Sequence, residues 1–483
     1  MKNADSTTKP SQNNQGYGWK FWLWLATALS TVLIIGVIVS AWAVLHITVG
    51  GGVRFSEKQS RTIMAIAEFP GLVRDAANEI RAEFGGAPLP LLMDRNTTEQ
   101  SNWERHFPEP ADTGYLLFSG LDPVTKHSIV KLIRISDGDV IAHWNPDWLV
   151  VNSQMTDKKF GRHGSSLNLT AVHPLLLSNG DIIFNTGASL VRQSPCSSKP
   201  TWVLDEIMHH SNELDETGNA FWTPSVSTDG FSGNPWLGNK VRDDALAHVS
   251  TDGVLLEKLS FARILQDNGL TALVVGISGM RLNEDPFHLN QIQIAHKDTN
   301  YWHKGDLLIS ARHLSTIFLY RPLTNKIIWY KTGPWMNQHS VDFVDDHRIS
   351  VFNNNVISGP LSMKQMFLKP DDINQVLVYD FDNQQITQPF STLLAETKPL
   401  TQFAGRARLI PDGGLFIEET GSGRHLRFTK DKLLWSRVND YDKEHIGAVI
   451  WSRYLTDEEA RIPLQSLATR RCHAPTGSLI SNK

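Results

Sequence analysis

Two hydrophobic rhythms divide this chain. From Phe21 to Val49 the residues are apolar or weakly polar, and none is Asp, Glu, Lys or Arg. A helix built from that run exceeds the roughly 20 residues that cross a bilayer. Tyr17, Trp19, Trp22 and Trp24 at its start, with Trp42 and His46 near its end, match an interfacial aromatic belt. A transmembrane helix is therefore expected over residues 17–49, behind a polar, disordered tail at 1–16. A cleaved signal peptide fits less well, because its apolar core is only about 7–15 residues long. Residues 56–84 keep helical spacing, with Ile63, Ile66 and Ala67 followed after Pro70 by Leu72, Val73, Ala76, Ile80 and Phe84. Gly85-Gly86 ends that pattern, and a juxtamembrane helical segment is assigned to 50–109.

From Gly114 onward the period becomes two. Short alternating runs are cut by turn pairs at Asp137-Gly138, Asn179-Gly180, Asp252-Gly253, Gly305-Asp306, Asn325-Lys326, Asp345-Asp346, Asp382-Asn383 and Asp412-Gly413. Such runs and turns predict an all-β domain over 110–465, with a C-terminal tail at 466–483. A repeat lies inside it. Units beginning at His173, His210, His288, His339 and Arg406 each open on a basic residue, place an apolar residue four positions on, turn, and return as an apolar strand. Several end in a hairpin that closes on tryptophan, as in Lys326-Ile-Ile-Trp329 and Lys432-Leu-Leu-Trp435. Repeated hairpin pairs are what four-stranded propeller blades require, and the domain length suggests six blades, with seven as the alternative.

Composition narrows the class. The 483 residues are 41% hydrophobic and 20% charged with a formal net charge of −4, so the chain is globular and lacks the basic excess that nucleic-acid binding leaves. Two cysteines, Cys196 and Cys472, form no C-x-x-C and no zinc spacing, which leaves a single long-range disulfide open.

In a propeller the innermost strand of each blade lines the central channel, so the leading basic residues would converge there. A lone strand histidine is more often a structural hydrogen-bonder. Five basic residues in matched positions shift that balance. Three imidazoles can hold iron or copper, but Arg312 beside them would repel a cation, while its planar fork suits an oxyanion. A neutral histidine at an anion site can also attack phosphorus or sulfur as a nucleophile. No metal and no cofactor is expected.

The elements Asp285-Pro-Phe-His288-Leu-Asn290, Ser310-Ala-Arg312-His313-Leu-Ser-Thr, Gln338-His339 and Gly413-Gly-Leu-Phe-Ile-Glu418-Glu419-Thr with Gly423-Arg424 resemble the bacterial arylsulfate sulfotransferases, across roughly residues 110–460. That resemblance implies a six-bladed propeller and nucleotide-independent transfer of a sulfuryl group from a phenolic sulfate ester to a phenol, through a sulfohistidine. By the same resemblance His339 is the nucleophile, Arg312 and His288 bind sulfuryl oxygens with Asn290 beside them, and His210, chosen over His209, is the third histidine. Arg406 and Trp335 are candidate substrate-binding residues. His313, next to Arg312 on a presumed strand, is expected to face away, and Arg424 to pair with Glu418 and so hold Arg406.

Kinship also bears on location. Lys2, Lys9 and Lys20 before the span balance Arg54, Lys58 and Arg61 after it, so charge does not orient the helix. An exported family places the propeller in the periplasm, anchored in a bacterial inner membrane, with a homodimer as an option. The competing readings are a membrane-anchored propeller that only binds or assembles, and a histidine–metal oxidoreductase.

Overall fold

Six separate antiparallel sheets follow one another along the chain, each with a continuous four-strand core. The computed structural model describes residues 23–31, 36, 39, 91–94, 103–106, 112–156, 169–227, 241–275, 285–358, 365–367 and 372–470. The second sheet holds Val172–Leu176, Ile182–Asn185, Leu190–Gln193 and Trp202–Leu204. The third holds Glu213–Leu214, Ala220–Ser227, Asp243–Ser250 and Leu255–Ser260. In the fourth are Leu289–Ile294, Leu307–Ala311, Thr316–Arg321 and Lys326–Thr332. The fifth runs His339–Phe343, Arg348–Asn353, Gln375–Asp380 and Ile386–Thr387, and the sixth Arg406–Leu409, Leu415–Glu419, Arg424–Phe428 and Leu433–Val438. The first sheet joins both ends of the domain: Arg453–Leu455 pairs with Tyr115–Leu121, which continues through Ser128–Arg134 to Val140–Trp144. This is a six-bladed propeller closed by its last strand, so the seven-bladed alternative falls.

Burial explains why the period of two is clear in some strands and absent in others. Each pair of neighbouring blades encloses its own apolar cluster, which makes six such clusters around the ring. A middle strand feeds two of them in alternation. Leu308 packs toward the fifth blade while Leu307 and Ile309 pack toward the third, and Val351 and Phe352 divide likewise. Buried on both faces, Leu307–Ala311 therefore reads as a continuous apolar run. The outermost strand Lys326–Thr332 has one face in solvent and alternates throughout.

The N-terminal assignments meet the structure only in part. The chain forms two compact units, Met1–Arg81 and Ala82–Lys483. Residues 23–31 are helical, and among the described residues no helix is long and apolar enough to cross a membrane. Residues 36 and 39 are helical as well, and the rest of the expected span, the tail at 1–16 and residues 50–90 lie outside the described residues. The helical segment assigned to 50–109 needs correction at its end. Leu92–Asp94 pairs with His445–Gly447, and Trp103–Arg105 adds a fifth strand to the outer edge of the sixth blade. Three-residue strands are held by docking on a neighbour and leave no periodicity to read. The expected boundary at 465 falls inside a helix, Asp457–Thr469, which Thr456 and Glu459 start with a reciprocal capping box. Cys196 is disulfide-bonded, and the one other cysteine of the sequence is Cys472.

Candidate active site

The basic residues sit where the inner strands begin, and the backbone there is bent. His173, His210, His288 and Trp451 have φ of 49°, 62°, 49° and 57°, and Ser340, next to His339, has 41°. Left-handed conformations are costly for residues with a side chain and collect at functional sites. Extra residues bulge the second, fourth and fifth inner strands, at Val172/Leu175, Leu289/Gln291 and His339/Val341. Bulges re-aim side chains, and here several rings are turned toward one another.

Trp451 is the hub. Its ring lies 5.1 Å from His173, 5.6 Å from His210 and 6.1 Å from His339, centroid to centroid. His210 lies 5.0 Å from His288, which in turn lies 4.5 Å from His313. Blades one to five thus contribute rings to one cluster. The carboxylate of Glu418, fully buried, accepts the backbone N–H groups of Trp451 and Ser452 at 2.7 and 2.5 Å and fixes that left-handed turn. Glu418 therefore holds Trp451, and Arg424 pairs instead with Glu419, a correction to the expected Glu418 pair.

His339 is 2% exposed and shares a 2.7 Å hydrogen bond through Nδ1 with Asn354 Oδ1. The Asn354 amide nitrogen donates to the carbonyls of Ala404 and Thr401, so Oδ1 is the acceptor and His339 carries its proton on Nδ1. Nε2 then keeps a lone pair. Burial, reinforced by the Arg312 charge, holds this imidazole well below the ordinary histidine range, so it is neutral at neutral pH. A neutral ring with a fixed tautomer and a free Nε2 is a prepared nucleophile.

Arg312 opens a single 3₁₀ turn, Arg312–Leu314, rather than continuing the strand. Strand alternation therefore does not apply, and His313 does not turn away as expected. Its Nδ1 contacts the carbonyl of Asp285 at 2.6 Å and its Nε2 accepts an Arg312 N–H at 2.9 Å. Arg312 is 6% exposed, and its Nε is buried without a hydrogen-bond partner. Burial lowers the guanidinium to about 10, which leaves it charged at neutral pH. An unpartnered, buried N–H on a cation calls for an oxyanion.

His288 meets the carboxylate of Asp285, Nδ1 to Oδ2, at 2.6 Å. That bond puts the proton on Nδ1 and leaves Nε2 as a base. Burial lowers His288 to about 4, against the opposing pull of Asp285. His210 Nδ1 lies 2.7 Å from His209 Nδ1, and burial followed by the charge of His209 keeps His210 well below its usual range. His209 in turn lies 3.6 Å from Asp244, whose other partner Arg242 lies 3.9 Å from Asp285.

The remaining candidates fall elsewhere. Asn290 gives its amide N–H to the backbone carbonyl of Gln338 at 2.7 Å, so it positions the strand that carries His339. Trp335 is 1% exposed in the core between the fourth and fifth blades, among Leu308, Ile317 and Val341. It packs there rather than lining the cluster. Arg406 meets His173 and lines a cavity whose wall includes none of His210, His288 and His339. Sequence reasoning missed Trp451, Asn354 and Asp244, while Asp285 stood in view within the Asp-Pro-Phe-His element. As for a cation, Asp285, His288 and His313 offer atoms within 4.8 Å of one another, but His313 Nε2 is taken by the Arg312 guanidinium, which also repels positive charge.

The family model for arylsulfotransferase (ASST) matches residues 174–439, more than half of the 483-residue chain. The chain belongs to the arylsulfotransferase family. Its matched region begins beside His173 and covers His210, His288, Arg312 and His339, but not Trp451, which the closing strand brings back. No curated protein matches this arylsulfotransferase. Among solved structures, it is similar to a protein of unknown function from Bacteroides caccae at 12% identity and a TM-score of 0.43, over 71% of this chain and 99% of that one. A streptogramin B lyase aligns at 10% identity with a TM-score of 0.35, over 70% and 87%. Hydrazine synthase of Kuenenia stuttgartiensis aligns at 8% with 0.37, over 70% and 81%. The six-bladed architecture rests on the strand pairing itself.

Proposed function

We propose that this arylsulfotransferase moves a sulfuryl group from a phenolic sulfate ester to a phenol by a two-step exchange through a sulfohistidine on His339, without a nucleotide. The observation that carries the reading is the pairing of a neutral His339, whose Nε2 lone pair is free, with the unpartnered Nε of Arg312. In the first step Nε2 attacks sulfur. The N–S bond forms as the S–O bond to the donor ring breaks, and the aryl oxygen leaves with the bonding pair. Charge on the sulfuryl oxygens is met by Arg312, a preorganised donor that costs no reorganisation as the charge develops. In the second step the acceptor phenol gives its proton to His288 Nε2, whose imidazolium Asp285 stabilises, and the phenolate oxygen attacks sulfur. The N–S bond breaks and neutral His339 returns, and His288 becomes neutral again by giving its proton to solvent, from which the phenolate released in the first step takes one up. His210, against the ring of His288, is placed to assist the departing oxygen.

Attachment to a bacterial inner membrane through 17–49, with the propeller in the periplasm, completes the proposal, and the charge-free run from Phe21 to Val49 supports it. Steady-state rates with p-nitrophenyl sulfate and varied phenol test the reaction. Parallel double-reciprocal lines, with nitrophenolate release dependent on phenol, are expected. Release that ignores the acceptor, or none with several aryl sulfates, overturns it.

A further inference from the structure

The inner strands have a second end, and it is built differently. Beyond the imidazole cluster, a cavity of about 560 Å³ is lined by Ile294, Phe343 and Leu455, the last residues of three inner strands, and by Arg406, Arg408 and Arg453. That volume suits a small molecule. Two of the three guanidiniums are neutralised in place. Arg453 Nη1 meets Glu213 Oε2 at 2.9 Å, and Arg408 grips Glu459 at 2.9 and 2.6 Å.

Arg406 is the exception. It is 6% exposed, and among the described residues no carboxylate forms an ion pair with it. Its single hydrogen-bond contact is Nη1 to His173 Nε2 at 2.5 Å. That contact cannot satisfy it. The backbone N–H of Asn212 donates to His173 Nδ1 at 2.9 Å, so Nδ1 holds a lone pair and the neutral ring carries its proton on Nε2. Burial, with Arg453 and Arg406 nearby, keeps the ring neutral. Two N–H groups then oppose each other, and the carboxylate oxygen Glu213 Oε1, 3.6 Å from His173 Nε2, lies beyond hydrogen-bond reach. Arg406 is left without a hydrogen-bonding carboxylate among the described residues, and Glu213 and Asp342, which share the cavity wall, act on its charge only through space. A largely buried guanidinium whose charge is offset only at a distance is stabilised by an anion that meets its N–H groups directly.

We propose that this cavity is an anion site, distinct from the imidazole cluster, which takes a carboxylate or sulfate group on the free N–H edge of Arg406. Trp302, Phe343 and Tyr454 in its wall leave room for an apolar body behind the charge. Asp342, hydrogen-bonded to Gln293 at 3.0 Å, shares the cavity and opposes anion binding. The site does not rest on the sulfotransferase reading, because it is defined by binding alone.

Calorimetric titration of the full-length protein in detergent, at constant ionic strength, tests it with sodium sulfate and sodium benzoate as separate probes. The Arg312→Gln variant serves as background, so that oxyanion binding at the imidazole cluster is removed. One saturable site is expected there, weakened at least about tenfold by adding Arg406→Gln and tightened about threefold by Asp342→Asn. Saturation by benzoate alone assigns an organic carboxylate and saturation by sulfate assigns an inorganic oxyanion, and either supports the site. No saturation by either probe, or unchanged affinity after Arg406→Gln, overturns it. Should the Arg406 variant not fold, the direction of the Asp342→Asn shift decides.

Discussion

Arg312, buried, and Arg453, about one-tenth exposed, are guanidiniums at the inner strands of one propeller, and they are finished differently. Arg453 is surrounded by acceptors: Glu213 Oε2 at 2.9 Å, the carbonyl of Pro174 at 2.6 Å and the carbonyl of Asn212. Arg312 touches an imidazole nitrogen and keeps a buried, unpartnered Nε. A cancelled charge holds blades together. An uncancelled one costs folding free energy and earns its place only when negative charge arrives. The largest expected contrast follows. Arg312→Gln should lower kcat for aryl sulfate turnover by about 10²- to 10³-fold with the melting temperature unchanged or raised. Arg453→Gln should instead cost about 3–5 kcal/mol of stability by stranding Glu213, with kcat of the folded enzyme altered less than about tenfold. Rate assays beside denaturant melts check both, and a reversal of the two effects would remove the distinction.

Next in size is the carboxylate behind His288. Asp285→Asn removes the negative charge that holds the His288 Nδ1 proton and stabilises its imidazolium, and kcat/KM should fall about 10- to 100-fold through kcat rather than KM. A merely structural Asp285 would change stability and leave the kcat of folded enzyme alone.

The imidazole end also sets a pH dependence. His173, His210 and His339 lie well below the ordinary histidine value, chiefly through burial, and His288 is lowered to about 4. The unfolded chain protonates these rings near 6.5 while the folded chain resists. Stability is therefore full above 6.5 and declines as pH falls toward the folded values, by up to about 1.4 kcal/mol per pH unit for each ring. The melting temperature should drop between pH 7 and pH 5, and less steeply in His339→Asn. A melt that is flat or rising over that interval counts against four neutral rings. The smallest functional effect belongs to Trp335→Phe, which should cost about 1–2 kcal/mol of stability and leave turnover within about twofold.

How much of this was legible depends on where each residue sits in the chain. Outer strands such as Lys326–Thr332 announce themselves by alternation because one face meets water. The histidines were visible because each opens a repeated unit. Arg312 is legible as a motif residue but its geometry is not, since a 3₁₀ turn after Ala311 abolishes the strand rule that turns His313 away. Trp451 carries no local signal. It reaches the cluster because the closing strand Arg453–Leu455 pairs back to Tyr115–Leu121, and its turn is fixed by Glu418 from another blade. Asn354 is similar: its role depends on carbonyls of Thr401 and Ala404, far along the chain. Trp335 illustrates the opposite error. Its closeness to the motif in sequence suggests a pocket aromatic, whereas the fold uses it as core.

The central claim is that His339 forms a bond to sulfur. The direct measurement is to mix the protein with p-nitrophenyl sulfate in the absence of phenol, quench at alkaline pH, and map the peptide containing His339 by mass spectrometry. A mass increase of about 80 Da, one SO₃ group, located on His339 and discharged by added phenol, is predicted. Nitrophenolate released by the enzyme with no adduct on that peptide, and undiminished turnover in His339→Asn, would contradict it.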